Sequence, residues 1–309
     1  MTGSLETAGY LYLETVIKWV RGAEPMHCAW EKLLCILPSR LRDSVDRLGR
    51  DSLQELRLRL NAQPELICTS GVYFLKETVT REDLNFCVNA ASQYSPWAAA
   101  TGSKGFITAP GGHRIGICGT VVCRNGAVTG FVEVFSLCIR VSRDFPGISQ
   151  KAGNISGSIL IIGAPGWGKT TLLRDLCRRI SQQKTVCVVD ERCEVFPEGL
   201  RRGLRMDVLT GCPKIYGIEM LLRTMSPAYI AVDEITAEED CNALVQAANC
   251  GVHLIATAHG SSVEDFFCRE VYRAAAAHSL FQTVLMLRSD KTFTVERMKS
   301  CTSNGSVRY

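Results

Sequence analysis

Ile159-Leu160-Ile161-Ile162-Gly163-Ala164-Pro165-Gly166-Trp167-Gly168-Lys169-Thr170-Thr171 decides how the rest of the chain is read. An apolar run of strand character enters a turn of the form G-x-x-x-x-G-K-T, after which Leu172, Leu173, Leu176 and Ile180 recur at helical spacing. Strand, glycine-rich turn and helix, in that order, form the context that makes this pattern a phosphate loop. Gly163, Gly166 and Gly168 are expected to take backbone angles closed to other residues, so that successive N–H groups face one concavity. At a helix N-terminus such a concavity binds phosphate. The contacting stretch is then Gly163, Ala164, Pro165, Gly166, Trp167, Gly168, Lys169, Thr170 and Thr171. Lys169 would reach the β- and γ-phosphates of a nucleoside triphosphate, and the Thr170 hydroxyl would sit on Mg²⁺.

Downstream, apolar strands alternate with helical stretches: Thr185–Asp190, Tyr229–Asp233, Val252–Thr257 and Thr283–Leu287. That alternation predicts an α/β unit with a mostly parallel sheet covered on both faces. Ligands in such sheets bind at the carboxyl ends of the strands, where Asp190, Asp233 and Thr257 stand. Ile230-Ala231-Val232-Asp233-Glu234 ends in two carboxylates. Asp233 is suited to hold Mg²⁺ through water, and Glu234 to orient or deprotonate an attacking water. Thr236-Ala237-Glu238-Glu239 reads as a capping box opening a helix over 237–250, with Glu238, Glu239 and Asp240 as first-turn charges. Val188-Val189-Asp190-Glu191-Arg192-Cys193-Glu194 ends a strand expected to lie next to the phosphate-loop strand. Asp190 and Glu191 could there hold the nucleophilic water while Arg192 binds phosphate; the alternative is a solvated charged turn. His259 lies two residues past Thr257 and has two readings, a contact to γ-phosphate or carboxylate and a structural histidine.

The first half has a different texture. Trp30, Leu33, Leu34, Ile36 and Leu37 suggest a helix interrupted at Pro38, and a second helix runs from Ser39 to about Leu48. Glu55 to Leu60 alternates with period two, and Pro64–Cys68 and Val72–Leu75 follow as strands around Ser70-Gly71. Arg81 to Tyr94 is amphipathic. Arg114–Arg124 and Ala127–Val134 flank Asn125-Gly126, the favoured two-residue hairpin turn, and Ser136–Ser142 reads as a further strand. The expected organisation is an N-terminal extension (1–28), a smaller α+β domain with an antiparallel sheet (29–148) and the phosphate-loop domain (149–309).

Composition bounds the partners. A net charge of +4 on 309 residues, with no basic stripe interleaved with aromatics, gives no reason to expect nucleic acid. No apolar window is long enough to span a bilayer, and Glu6 and Glu14 interrupt the N-terminal stretch, so neither a membrane span nor a signal peptide is expected. The 15 cysteines are scattered with no Cys-x-x-Cys pair, which fits reduced buried thiols better than disulfides or zinc.

The order of motifs resembles the secretion-superfamily ATPases of type II and type IV secretion and pilus machines. Those carry a phosphate loop, an acidic box, a Walker B strand and a histidine box, here Gly163–Thr170, Asp190–Glu194, Ile230–Glu234 and Gly251–His259. Closer still is the likeness to the stage III sporulation protein AA family. It is carried by Val189-Asp-Glu-Arg192, Arg205-x-Asp207-Val-Leu, Cys212-Pro-Lys214, Arg223-x-Met-Ser-Pro227, Val232-Asp-Glu-Ile235 and Ala256-Thr-Ala-His-Gly-Ser-Ser262. In the first half Glu55-Leu-Arg-Leu-Arg59, Gly105-Phe-Ile-Thr108 and Gly112-His-Arg-x-Gly-x-Cys-Gly119 fit it too. The resemblance implies a RecA-like core, ATP and Mg²⁺ as cofactors, ATP hydrolysis, and a cytoplasmic mother-cell motor. It further implies a homo-oligomer, a hexamer, working on membrane proteins of the channel between mother cell and forespore. Two departures matter. Pilus-type enzymes carry glycine at the place of Asp233 and arginine at that of Thr236, so their arginine role does not transfer. A cation completing a neighbouring subunit's site is sought instead at Arg140, Arg143, Arg201, Arg202 or Arg205. The general base stays open between Glu234 and the Asp190–Glu191 pair. Two rival functions remain: a nucleic-acid translocase built on the same core, and a nucleotide-binding scaffold that does not hydrolyse.

Overall fold

The structure is a computed structural model that describes residues 26–94, 105–197 and 199–298. Most of the expected N-terminal extension (residues 1–25) lies outside the described residues. The chain divides into two compact units. One holds Phe145–Val195 and the described part of Arg202–Tyr309; the other holds Met26–Asp144 together with Phe196–Arg201.

In the Met26–Asp144 unit the elements are α1 (Trp30–Cys35), α2 (Ser39–Asp46), β1 (Leu53–Arg59), β2 (Glu65–Cys68), β3 (Gly71–Phe74), α3 (Arg81–Ala91), β4 (Phe106–Thr108), β5 (Arg114–Arg124) and β6 (Ala127–Arg140). The sheet runs β3-β2-β1-β6-β5-β4 with antiparallel pairs throughout. Period-two alternation puts Leu56 and Leu58 on the same face as their partners Ile139 and Leu137, where they are buried with Leu33, Leu41, Leu66, Leu84 and Ile115. Thr80 caps α3 by accepting from the Asp83 amide, and Asp83 accepts in return from the Thr80 amide. The two strands expected over 127–134 and 136–142 are in fact one, β6. Its register against β5 slips at Cys118/Gly119, Thr120/Val121 and Val122/Cys123, which breaks the alternation that the sequence pattern relies on.

The phosphate-loop unit contains β7 (Ile159–Ile162), α4 (Lys169–Ile180), β8 (Val186–Asp190), β9 (Met206–Thr210), α5 (Lys214–Thr224), β10 (Tyr229–Ile235), α6 (Glu238–Asn249), β11 (His253–Ala258), α7 (Val263–Cys268), α8 (Arg273–Ala277), β12 (Thr283–Leu287) and β13 (Phe293–Arg297). Its sheet runs β13-β12-β7-β11-β10-β8-β9, parallel except where β13 returns against β12. Every residue of β7 and β8 is buried, as near-continuous apolar strands of a doubly covered sheet require.

Three expectations are corrected here. β8 does not lie beside the phosphate-loop strand: β11 and β12 flank β7, and β11 and β10 both stand between β7 and β8. β9 and β13, the five-residue strands at the two edges of this sheet, were not among the expected strands. The N-cap of α6 is Ala237 and not the expected Thr236, and Ala237 has no acceptor side chain. Asp240 instead accepts from the Thr236 amide at 3.0 Å and the Ala237 amide at 3.3 Å. Among the described residues no helix is long and apolar enough to cross a membrane.

Candidate functional site

β7 delivers the glycine-rich turn to the carboxyl edge of its sheet, and α4 begins at Lys169 immediately after it. Gly166 and Gly168 have φ of 74° and 102°, the left-handed region that side chains resist. Gly163 is different. Its φ is not positive, and what it supplies is room, since a Cβ there would lie 3.0 Å from the Leu287 Cβ and 3.4 Å from the Trp167 ring. Trp167 thus packs over the start of the loop that Ala164, Pro165 and Gly166 complete, with Thr170 and Thr171 in the first turn of α4.

Lys169 is only 8% exposed, and its Nζ donates to the carbonyls of Gly163 (2.9 Å) and Ala164 (3.0 Å). A third donation goes to His259 Nδ1 at 3.1 Å. An ammonium can only donate, so Nδ1 must be the accepting nitrogen and Nε2 carries the hydrogen. That Nε2–H points at Glu234 Oε1, 2.6 Å away. One neutral tautomer of His259 therefore satisfies both neighbours and links Lys169 to Glu234. Burial pushes the Lys169 ammonium down, and the charges of Asp233 and Glu234 oppose that shift.

The two acids at the end of β10 reach the same place through a bulge. Val232 pairs with Ala256 and Ile235 with Ala258, so Asp233 and Glu234 together oppose the single residue Thr257. In a regular strand successive side chains would point to opposite faces; here Glu234 takes φ of 57°, a strained conformation for a residue with a side chain. Thr257 serves both, donating to Asp233 Oδ1 at 2.6 Å and accepting from the Glu234 amide at 2.7 Å. The other Asp233 oxygen accepts from the Thr170 hydroxyl at 2.7 Å. Burial pushes the Asp233 carboxyl up, against the two hydroxyl bonds that favour its anion. Burial acts the same way on Glu234, but the His259 hydrogen bond and the Arg192 charge outweigh it and hold that carboxyl below its usual range.

The acidic segment after β8 divides in two. Asp190 is 2% exposed and its oxygens accept from the amides of Glu194 (2.8 Å) and Val195 (3.0 Å), so it ties down its own turn. Glu191 pairs with Lys214 at 2.8 Å, and Arg192 forms an ion pair with Glu234. A gap of about 10 Å³ lies among Asp190, Arg192, Lys214, Asp233 and Glu234, about the room that one water needs.

Lys214 is a residue the sequence pattern did not assign. It is 7% exposed at the first position of α5, the end where the helix dipole disfavours a cation. Glu191 and Asp240 (3.6 Å) offset that cost. A lysine placed directly after Pro213, at a helix start, was the available signal. The candidate cations for a neighbouring subunit also separate. Arg143 donates to the carbonyls of Arg50 (2.9 Å) and Leu53 (2.6 Å), and Arg205 to that of Gln183 (2.9 Å). Arg140 keeps 65% of its side chain exposed, 3.4 Å from Glu55, and Arg201 and Arg202 are exposed.

Hard oxygen donors from Thr170 and Asp233 beside a nest of loop amides suit Mg²⁺ on a phosphate, an ion that takes few ligands from the protein itself. The described residues contain no cluster of three His, Cys, Asp or Glu side chains that could hold a metal alone.

Comparison with solved structures gives the fold. The pilus retraction motor PilT, solved with bound ADP, superposes with a TM-score of 0.57 at 13% identity, covering 84% of this chain and 83% of that one. The Legionella pneumophila ATPase DotB gives 0.54 at 16% identity, covering 84% and 79%. The core is thus the RecA-like fold of secretion ATPases. Sequence comparison goes further: stage III sporulation protein AA of Bacillus subtilis (strain 168) is 35% identical over 278 residues, covering 83% of this chain and 90% of that protein. The family model "Sporulation stage III, protein AA" matches residues 29–298, and this chain belongs to that family.

Proposed function

We propose that this chain hydrolyses ATP and acts as one subunit of a homo-oligomeric motor, a hexamer, in the mother-cell cytoplasm. There it would dock peripherally on membrane proteins and energise the channel between mother cell and forespore. The observation that carries the reading is the hydrogen-bonded line from Lys169 through His259 to Glu234, with Asp233 held between Thr170 and Thr257. The fold shared with a pilus motor that binds ADP supports it.

In this reading the loop amides of 163–171 and Lys169 bind the triphosphate, while Thr170 and Asp233 hold Mg²⁺, Asp233 through water. The metal supplies charge neutralisation at the phosphates. Glu234 accepts the proton of the attacking water, and His259, already donating to that carboxylate, reports its charge to Lys169. Arg192 leaves Glu234 to meet phosphate charge. Asp190 and Glu191 shape the same pocket, Asp190 through its turn and Glu191 through Lys214. Arg140, Arg201 and Arg202 are the cations best exposed to serve a neighbouring subunit's site. The working domain division is 29–148 and 149–309, with 1–28 as an extension.

Phosphate release by the purified full chain with ATP and Mg²⁺ tests the reading. Turnover should be measurable and should vanish in Lys169→Ala, because pre-organised charge is usually the largest catalytic term. An inactive wild type that binds nucleotide would instead identify a scaffold that senses nucleotide without hydrolysing it.

A further inference from the structure

A second ammonium sits on the phosphate loop, and no motif announces it. The turn between β12 and β13 carries Lys291, whose Nζ donates to the Gly166 carbonyl, 125 positions away in sequence. The turn is built to hold it there. Arg288 and Thr292 close it through an amide-to-carbonyl bond of 2.9 Å, and the Lys291 amide donates back to Arg288 at 3.1 Å. Asp290 Oδ1 accepts from both the amide (2.9 Å) and the hydroxyl (2.7 Å) of Thr292. Lys291 itself is held at φ of 65°, a left-handed conformation that a side-chain-bearing residue keeps only where its surroundings impose it. The same hairpin touches the loop a second time, at Leu287 against Gly163.

The charge balance is the informative part. Among the described residues no carboxylate lies within ion-pair distance of Lys291 or Lys169, and each ammonium rests on loop carbonyls, Lys169 also on a neutral histidine. Burial pushes the Lys291 ammonium below the usual lysine range, so water does not fully compensate its charge either. Two incompletely paired cations thus flank a nest of N–H groups. A carbonyl satisfies one hydrogen of an ammonium but none of its charge, and the flexible four-carbon stem lets the head move to a better partner.

We propose that Lys291 is a second cationic ligand of the bound nucleotide's phosphates, parked on Gly166 until a polyphosphate arrives. The inference rests on the nucleotide-binding reading above and adds to it a residue from outside every recognised motif. It makes the β12–β13 hairpin part of the site.

Equilibrium binding of fluorescent N-methylanthraniloyl ATP, ADP and AMP to the full chain, at low and high salt, tests this. Lys291→Met should weaken ATP binding about 10- to 100-fold, as expected for loss of a hydrogen bond to a charged group. AMP should be affected much less, and the salt dependence of ATP binding should become shallower. Lys291→Arg should recover most of the loss. Equal weakening of all three nucleotides with an unchanged salt dependence would mean that Lys291 only pins the loop, and would overturn the proposal. So would unchanged ATP affinity in Lys291→Met, which would leave nucleotide binding itself standing. A wild-type chain that binds none of the three would remove both readings together.

Discussion

β8 and β10 both end in carboxylates, yet the two ends are wired in opposite ways. Asp190 spends its oxygens on backbone amides of its own turn and is 2% exposed. Glu234 is held by side chains, His259 and Arg192, and keeps 26% of its side chain exposed. A backbone amide cannot leave without unfolding the turn, whereas a side-chain partner can rotate away when a ligand offers more. The same contrast separates two histidines. His113 is fully buried, with Nε2 on the Ala29 carbonyl at 3.0 Å and Nδ1 accepting from the Ser142 amide at 3.1 Å. His259 instead bridges two charged side chains. Asp190 and His113 are thus fixed by backbone partners, whereas Glu234 and His259 are fixed by other side chains.

The sharpest way to break this division is Glu234→Gln. Turnover should fall about 10²- to 10⁴-fold while ATP binding persists, as for loss of a proton-accepting group. A Glu234→Gln chain that still hydrolyses near normally would move the base to the acidic segment. Asp190→Ala should act on stability first. Stranding the Glu194 and Val195 amides should cost about 1–3 kcal/mol, read as a lower denaturant midpoint with unchanged slope. A larger loss in turnover than in stability would place Asp190 with Glu234 after all.

The smallest effect concerns His113. Burial pushes its imidazole below the ordinary histidine value, with the Ala29 hydrogen bond opposing. The unfolded chain therefore takes up a proton that the folded chain refuses. The stabilisation is complete above about pH 6.5 and is lost as pH falls through the depressed value. Thermal melting should drop on acidification from about pH 7.5 to about 5.5, the window in which free histidine titrates. His113→Asn should flatten that slope; an identical slope in the variant would show that other groups set it.

What could be read in advance follows sequence distance. The phosphate loop, the acids of β10 and the helix after them are each contiguous, so their residue order states their geometry. Strand order is not local, and β8 was expected beside β7 because nothing in a strand's own residues names its neighbours. The bulge at Asp233–Glu234 looks like plain alternation on paper; only the pairing with Thr257 reveals it. Lys169 and His259 stand 90 positions apart, and Lys291 and Gly166 stand 125 apart. Their bonds depend on the succession of parallel crossovers from β7 to β12 and on the hairpin after it, which no short pattern encodes. Lys214 was visible as a residue but not as an ion pair, because Glu191 and Asp240 come from two other elements.

Phe196–Arg201 belongs to the same compact unit as Met26–Asp144, although the chain reaches it only after β7, α4 and β8. Pro197 fills the space over Gly112, where a Cβ would come within 2.4 Å of its ring. On the ribosome this fixes an order of events. Domains tend to fold as they emerge, N-terminal first, but here the first unit lacks one of its own segments until the chain has been made through Arg201. Until then Pro197 does not cover Gly112, although the phosphate loop has already been synthesised. The two units are therefore born overlapping in time, and a nascent chain stalled between Asp144 and Phe196 should be held as an incomplete first unit.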